Sequence, residues 1–282
     1  MLKVEIDGNS GFCGGVIRAI DTAERYLAGQ EGGLLSLGAI VHNEEELARL
    51  GAKGLVAAGP EELDSLPSGT SVLIRAHGVA PDVYSRMKEK GLNVIDCTCP
   101  VVLNIQKQIR ESRGRVLIFG KHGHPEVLGL VGQKDDAVVF DGVDQLEEVL
   151  EGFAAGDAVD VFSQTTMSPK EYEKACRIIM ARLPEAVIHN TICRQVASRH
   201  RELSDFATLH DVVVFVTGSH SSNGKVLSDL CHSCNARTWR VGGPEDVRPE
   251  WFRPGDFVGV SGATSTPKWL LEQVAAAIEN LQ

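Results

Sequence analysis

Several things are missing from this sequence, and each absence removes a class of function. No apolar run approaches the roughly 20 residues needed to span a bilayer. The opening stretch MLKVEIDGNSGFCGG turns polar by Asp7, before any apolar core of signal-peptide length can form. Basic residues are outnumbered, 28 Lys and Arg against 38 Asp and Glu, for a formal net charge of −10. That balance argues against a nucleic-acid binder, which neutralises phosphates with clustered cations. There is no Walker-type loop ending in Lys and no strand-linked GxGxxG, so no nucleotide cofactor is indicated. Nothing is low-complexity, and the longest acidic run is the short EEE at 44–46. What remains is 282 residues of ordinary globular composition, 43% apolar and 23% charged. The expectation is a soluble, cytoplasmic chain of two domains or three small ones.

The cysteines are the unusual part of the inventory. There are seven, at positions 13, 97, 99, 176, 193, 231 and 234. An odd count without a secretion signal does not suit a disulfide framework. In a reducing compartment such thiols are small hydrophobes, nucleophiles or metal ligands. Position separates these readings.

Apolar strand-like runs alternate with amphipathic helical stretches, as in α/β folds with parallel sheets. The clearest strands are 34–41, 71–76, 115–120, 157–163, 211–218 and 256–262, and the clearest helices 16–29, 81–91, 168–183 and 267–281. A weak internal repeat runs through them. The runs VEIDGNSGFCGG, LNVIDCTCP and AVIHNTICRQ each end at a cysteine that precedes a helical segment. Cys13, Cys99 and Cys193 lie 86 and 94 residues apart, and a third of the chain is 94. A first set of polar motifs, measured at His42, His124 and Ser221, falls 29, 25 and 28 residues after its cysteine. A second set, at His77, Thr165 and Ser265, falls 64, 66 and 72 residues after it. Carboxyl ends of strands are where open α/β sheets place ligands. The spacings predict three small parallel-sheet α/β modules in a pseudo-threefold trefoil around a central cluster. By chain order these are 1–98 with Cys13, His42 and His77; 99–190 with Cys99, His124, Glu126 and Thr165; and 191–282 with Cys193, Ser221, Ser222, Asn223 and Ser265.

Three thiolates spread over separate modules do not resemble a structural zinc site, whose ligands come in close pairs. They match three corners of a [4Fe–4S] cube with a fourth iron left open for Lewis-acid chemistry. Cys99 stands directly before Pro100 at the turn that Cys13 and Cys193 also occupy, which favours it as ligand; Cys97, two residues earlier, is the alternative. Cys176 lies on an apolar helix face and reads as core. Cys231-His232-Ser233-Cys234 is a CxxC that suits a redox pair or half a zinc site, with no second pair to complete it. His42, His77, His124, Ser221, Ser222, Asn223 and Ser265 together suit the many acceptor oxygens of a phosphate. Ser and Thr at strand ends also serve as plain helix caps. Glu126 sits in a His-Pro-Glu turn, where it serves as a general acid relayed by Thr165 or simply complements a helix dipole.

The series GFCGGV, VHN, RAHGV, TCP, GHPEV, QTT, TIC, HSSN and ATSTP, in this order, resembles the 4-hydroxy-3-methylbut-2-enyl diphosphate reductase (IspH/LytB) family over residues 2 to about 280. The resemblance implies a trefoil of three α/β modules and an oxygen-sensitive [4Fe–4S] cluster on Cys13, Cys99 and Cys193. It implies reductive removal of an allylic hydroxyl to give isopentenyl and dimethylallyl diphosphates, the last step of the non-mevalonate isoprenoid pathway. Glu126 resembles the family's proton donor, with His124 and Thr165 beside the substrate hydroxyl. His42, His77, Ser221, Ser222, Asn223 and Ser265 resemble its diphosphate clamp. Ferredoxin or flavodoxin is the implied electron donor. Two departures stand out: the extra Cys97, and His220 where many relatives carry Asn. The competing readings are a non-redox [4Fe–4S] lyase of the quinolinate-synthase type and a zinc-stabilised binding module on Cys231 and Cys234.

Overall fold

The computed structural model describes residues 2–29 and 33–281. Its strands are β1 (Lys3–Ile6), β2 (Leu34–Leu37), β3 (Leu55–Ala58), β4 (Ser71–Ile74), β5 (Asn93–Asp96), β6 (Arg115–Phe119), β7 (Val138–Phe140), β8 (Val159–Ser163), β9 (Val187–Ile188), β10 (Val212–Val216), β11 (Thr238–Val241) and β12 (Phe257–Gly262). The helices are α1 (Gly14–Gly29), α2 (Glu44–Gly51), α3 (Pro81–Glu89), α4 (Pro100–Glu111), α5 (Pro125–Val131), α6 (Leu146–Glu151), α7 (Pro169–Arg182), α8 (Arg194–Leu209), α9 (Ser222–Cys234) and α10 (Lys268–Glu279). None of the described helices is long and apolar enough to cross a membrane. The chain divides into two compact units, one of Met1–Leu34, Ala39–Val56 and Ser198–Gln282, the other of Leu35–Gly38 and Ala57–Ala197.

The strands form three four-stranded parallel sheets, ordered β3-β2-β4-β5, β7-β6-β8-β9 and β11-β10-β12-β1. One topology is used three times. The first strand of each sheet sits in the middle, the second goes to an outer edge, and the third returns to pair with the first. A fourth strand, leading to a cysteine, closes the other edge. In the last sheet that fourth strand is β1, drawn from the opposite end of the chain and paired Lys3 to Phe257 through Ile6 to Val260. Sheet membership therefore joins each cysteine to the strands that precede it cyclically, whereas the division by chain order joins each to those that follow.

The middle strands are the ones whose apolar runs stand out in the sequence, because both of their faces are covered. In β10 every residue is buried. Val212, Val214 and Val216 face α10 through Leu270, Leu271 and Val274, while Val213 and Phe215 face α8 and α9 through Leu203, Ala207 and Leu227. The second unit repeats this. Leu117, Phe119 and Val161 meet α6 and α7, and Val116, Ile118 and Phe162 meet Ile105 and Ile109 of α4 and Leu130 of α5. The helix that follows Cys99 thus packs on the sheet of β6–β9. Pro begins α3, α4, α5 and α7, where the missing N–H has no helical partner to lose.

In the first unit the end of β1 is secured by a buried ion pair. Asp7 accepts hydrogen bonds from Arg199 Nη2 and from Ser261 Oγ at 2.9 Å, and Arg199 Nη2 also donates to Ser261 Oγ at 2.7 Å. Both charged side chains are about 5% exposed. Removing one partner of such a pair leaves the other charge stranded, which typically costs about 3–5 kcal/mol. Asp7→Ala should lower stability by about that amount, read as a shift of the urea midpoint at unchanged slope. Asp7→Leu combined with Arg199→Met removes both charges and should recover most of the loss; a single variant as stable as the parent would show that the pair is solvated.

Candidate functional site

A strand order that doubles back creates a switch point between the two middle strands, where the loops diverge and a crevice opens at their carboxyl ends. In this fold the polar motifs sit at these points. Between β6 and β8 lies the first group. α5 opens with His124 as N-cap, its Nδ1 accepting from the Glu126 N–H at 3.2 Å, so the ring proton resides on Nε2. Glu126 is 2% exposed. Its Oε1 accepts from the Thr165 N–H at 2.7 Å and its Oε2 meets the Thr165 hydroxyl at 2.8 Å. Burial pushes the Glu126 carboxyl up to about 7, and the two Thr165 bonds pull in the other direction without overcoming it. His77, at the end of β4, stands edge-on to His124 with ring centroids 5.2 Å apart.

Between β10 and β12 the arrangement recurs with different side chains. Ser221 caps α9 by accepting from the Gly224 N–H at 3.0 Å, and its Oγ lies 2.9 Å from Ser265 Oγ. Asn223 Nδ2 donates to Thr264 Oγ1 at 2.8 Å. Asn223 Oδ1 is buried, with no hydrogen-bond partner among the described residues. Ser222 is half-buried at the first position of α9. Gly224 is required here, since a Cβ would lie 1.8 Å from Thr217 Oγ1. Gly218 lets the His42 carbonyl approach: a Cβ there would stand 2.4 Å from that oxygen. The residue after His42, Asn43, caps α2 by accepting from the Glu46 N–H at 3.0 Å. Glu126 and Asn223 occupy the same place, second residue of a helix at a switch point, bonded to a threonine after the returning strand. One offers a carboxyl, the other a carboxamide.

The cysteines show the repeat in the backbone. The Cys13 N–H donates to the carbonyl of Thr264 at 3.4 Å, that of Cys99 to Ala76 at 3.0 Å, and that of Cys193 to Thr165 at 3.0 Å. Each cysteine carbonyl accepts the first helical bond beyond it, from Ile17, Leu103 and Ala197. All three are half-exposed thiols at helix starts. Cys97 stands one rung earlier on the ladder that Cys99 ends. Its N–H donates to Ile74 and its side chain is 2% exposed. The residue two before Cys193 is Thr191, whose hydroxyl is likewise turned inward, onto Ser163.

The remaining thiols have structural surroundings. Cys176 packs on the core of the second unit, and burial raises its thiol despite a bond from Tyr172. Cys231 is fully buried against Leu203, Ala207 and Phe215, which pushes its thiol up to about 12. Among the described residues no third ligand joins Cys231 and Cys234 in a metal-holding group. Two residues inside the QTT and ATSTP motifs act in ways their sequence did not show. Thr264, adjacent to Ser265, holds Asn223. Gln164 anchors the loop after β6 by accepting from the Lys121 N–H at 3.0 Å.

Comparison with known proteins places these residues in context. The family model described as "LytB protein" matches residues 4–279. The chain is 42% identical to the 4-hydroxy-3-methylbut-2-enyl diphosphate reductase of Porphyromonas gingivalis, over the whole of both chains. It is 43% identical to the reductase of that name from Parabacteroides distasonis, covering 100% of this chain and 99% of the relative. A solved structure of (E)-4-hydroxy-3-methyl-but-2-enyl diphosphate reductase, titled the terminal enzyme of the non-mevalonate pathway, superposes with a TM-score of 0.74 at 31% identity, covering 99% of this chain and 100% of that one. With a match that runs through all three sheets and relatives aligned end to end, the chain belongs to the LytB protein family.

Proposed function

We propose that this chain is the iron–sulfur reductase that removes the allylic hydroxyl of (E)-4-hydroxy-3-methylbut-2-enyl diphosphate, giving isopentenyl and dimethylallyl diphosphates. Family membership and full-length relatives of that name favour this over a non-redox lyase. The observation that carries the mechanism is the buried Glu126 carboxyl, held by Thr165 beside the Cys193 turn.

The donor set suits an iron–sulfur cluster. Cys13, Cys99 and Cys193 are half-exposed, soft and placed at helix starts in equivalent hydrogen-bonding positions. They are the proposed ligands of a [4Fe–4S] cluster with one open iron; Cys97, in the buried register of Thr191, is not. When bound, such a cluster supplies reducing electrons and a Lewis-acidic position.

The chain's own residues supply the rest. Ser221, Ser222, Asn223 and Ser265 offer hydroxyls and an amide at the start of α9, whose N–H groups and dipole favour an anion. With His42 and His77 they form the proposed diphosphate clamp. The unpartnered Asn223 Oδ1 lies in that group and suits a substrate hydroxyl or a protonated phosphate oxygen. Glu126, protonated near neutral pH, delivers a proton to the departing hydroxyl, and the Thr165 hydroxyl relays it. His124, with its proton on Nε2, donates to the same oxygen. The overall change takes two electrons and two protons, releasing water. Ferredoxin or flavodoxin is the proposed donor.

Three outcomes test the assignment. Anaerobically reconstituted Cys99→Ser should lose bound iron and sulfide while Cys97→Ser keeps them; iron and sulfide counts with the reverse result would reassign the ligand. Glu126→Gln should keep the cluster spectrum and substrate affinity but lose about 10²–10⁴-fold in kcat. In the parent enzyme kcat/KM should fall as pH rises through about 7, because the neutral acid is the donor form. That limb should be absent from the residual activity of Glu126→Gln, and a limb of equal size in both would assign it to another group.

A further inference from the structure

Reduction requires electrons to enter the chain from outside, and the proposed catalytic and clamp side chains do not show where. A groove of about 590 Å³ in the second unit does not belong to either group. It runs between the outer face of α4 and the segment 188–195 that leads from β9 into α8. Cys193 lines it, and so does Val101, two residues after Cys99. Glu126, Thr165, His77 and His124 are absent from its walls, so it is not the pocket in which the hydroxyl would be protonated.

The chemistry of the walls is distinctive for so acidic a chain. Among the described residues no carboxylate lines the groove, although the chain carries 38 of them. The polar lining is mostly carboxamide, from Asn104, Gln108, Asn190 and Gln195, joined by Thr191 and His189, with the exposed Arg194 as its fixed charge. Behind His189 stands Asp160, already engaged by His189 Nε2 at 2.7 Å and by the Ser112 hydroxyl. The apolar part of the lining includes Val101, 41% exposed at the start of α4, with Ile188 and Ile192 across from it. An apolar centre with an uncharged polar rim and a single cation fits a weak, transient contact with an acidic surface. It does not fit a nucleotide, for which the chain has no phosphate-binding loop.

We infer that this groove, beside the Cys193 turn, is the docking surface for an acidic one-electron carrier protein. The inference rests on the reductase reading above. Two encounters serve each turnover: two reduced carriers become oxidised, the substrate C–O bond breaks, and two protons taken up complete water and the new C–H bond. An amide-and-arginine surface receives an acidic partner without the like-charge repulsion that the rest of this chain would present.

Added negative charge on the exposed face of α4 tests it, using the cluster-loaded enzyme with Asn104→Glu and Gln108→Glu together. Turnover of the allylic diphosphate is driven either by reduced flavodoxin or by reduced methyl viologen, a small cation that needs no docking surface. Flavodoxin-driven kcat/KM for the carrier should fall about tenfold or more, mainly through KM and most strongly at low salt. Viologen-driven turnover should stay within about twofold of the parent, and Asn104→Lys should lower the KM for flavodoxin. Unchanged flavodoxin-driven rates would place docking elsewhere and overturn the inference. Equal losses with both donors would overturn it too, assigning the face to folding or chemistry. Loss with free reduced flavin mononucleotide but not with flavodoxin would make the groove a small-molecule site. A parent enzyme with intact cluster that reduces the substrate with neither donor would instead overturn the reductase reading, and this inference with it.

Discussion

Thr165 uses every polar group it has. Its N–H and hydroxyl hold the two oxygens of Glu126, and its carbonyl accepts the N–H of Cys193. A proton donor and a thiol ligand are thereby set by one residue at the end of one strand. The position of that residue is in turn imposed by β8, whose burial on both faces leaves little freedom to shift. Buried carboxyls are costly unless hydrogen-bonded. Here the bonds are sufficient to orient the group and insufficient to ionise it, which is the condition a neutral-pH acid requires. Stronger donors at this place would hold the carboxylate charged and deprive it of its proton.

The other two sheets carry the same junction with its parts exchanged. Thr264 accepts from Cys13 through its carbonyl and from Asn223 through its hydroxyl. Ala76 accepts from Cys99 and has no hydroxyl at all. The backbone bond to the cysteine is therefore common to the three copies, while the side-chain function differs: an acid at one, an amide at the second, a following histidine at the third. This is what is expected when a repeated topology fixes main-chain geometry at switch points and leaves the loops to diversify.

Much of this was legible in the amino-acid order, for identifiable reasons. The six middle strands announce themselves because residues such as Val212 to Val216 are apolar on both faces. The edge strands β3, β7 and β11 do not: β7 has three residues, and β11 presents Trp239 and Arg240 outward. The three cysteine turns were visible as a spacing. Yet the pairing of β1 with β12 joins residues some 250 positions apart and leaves no local trace. Glu126 could be singled out by its turn, but its bond to the Thr165 N–H could not, since a backbone donor carries no signature in side-chain identity. Cys97 and Cys99 share a strand face by parity. Only the ladder, with Cys97 on Ile74 and Cys99 on Ala76, separates a core position from a helix start.

The same ladder explains why the extra thiol at 97 is tolerable. A sulfur in competition for a cluster would have to be exposed at the turn, and Cys97 is held one register step inside it, in the place Thr191 takes in the neighbouring sheet. Cys231 is handled similarly, sealed against Phe215 with its thiol pushed up to about 12. Burial keeps Cys231 in the protonated, unreactive form and denies Cys97 the exposure a ligand needs. Exposure at a helix start is reserved for Cys13, Cys99 and Cys193. Discrimination among seven chemically identical groups is accomplished by solvent access and backbone register, so it persists without any further residue to enforce it.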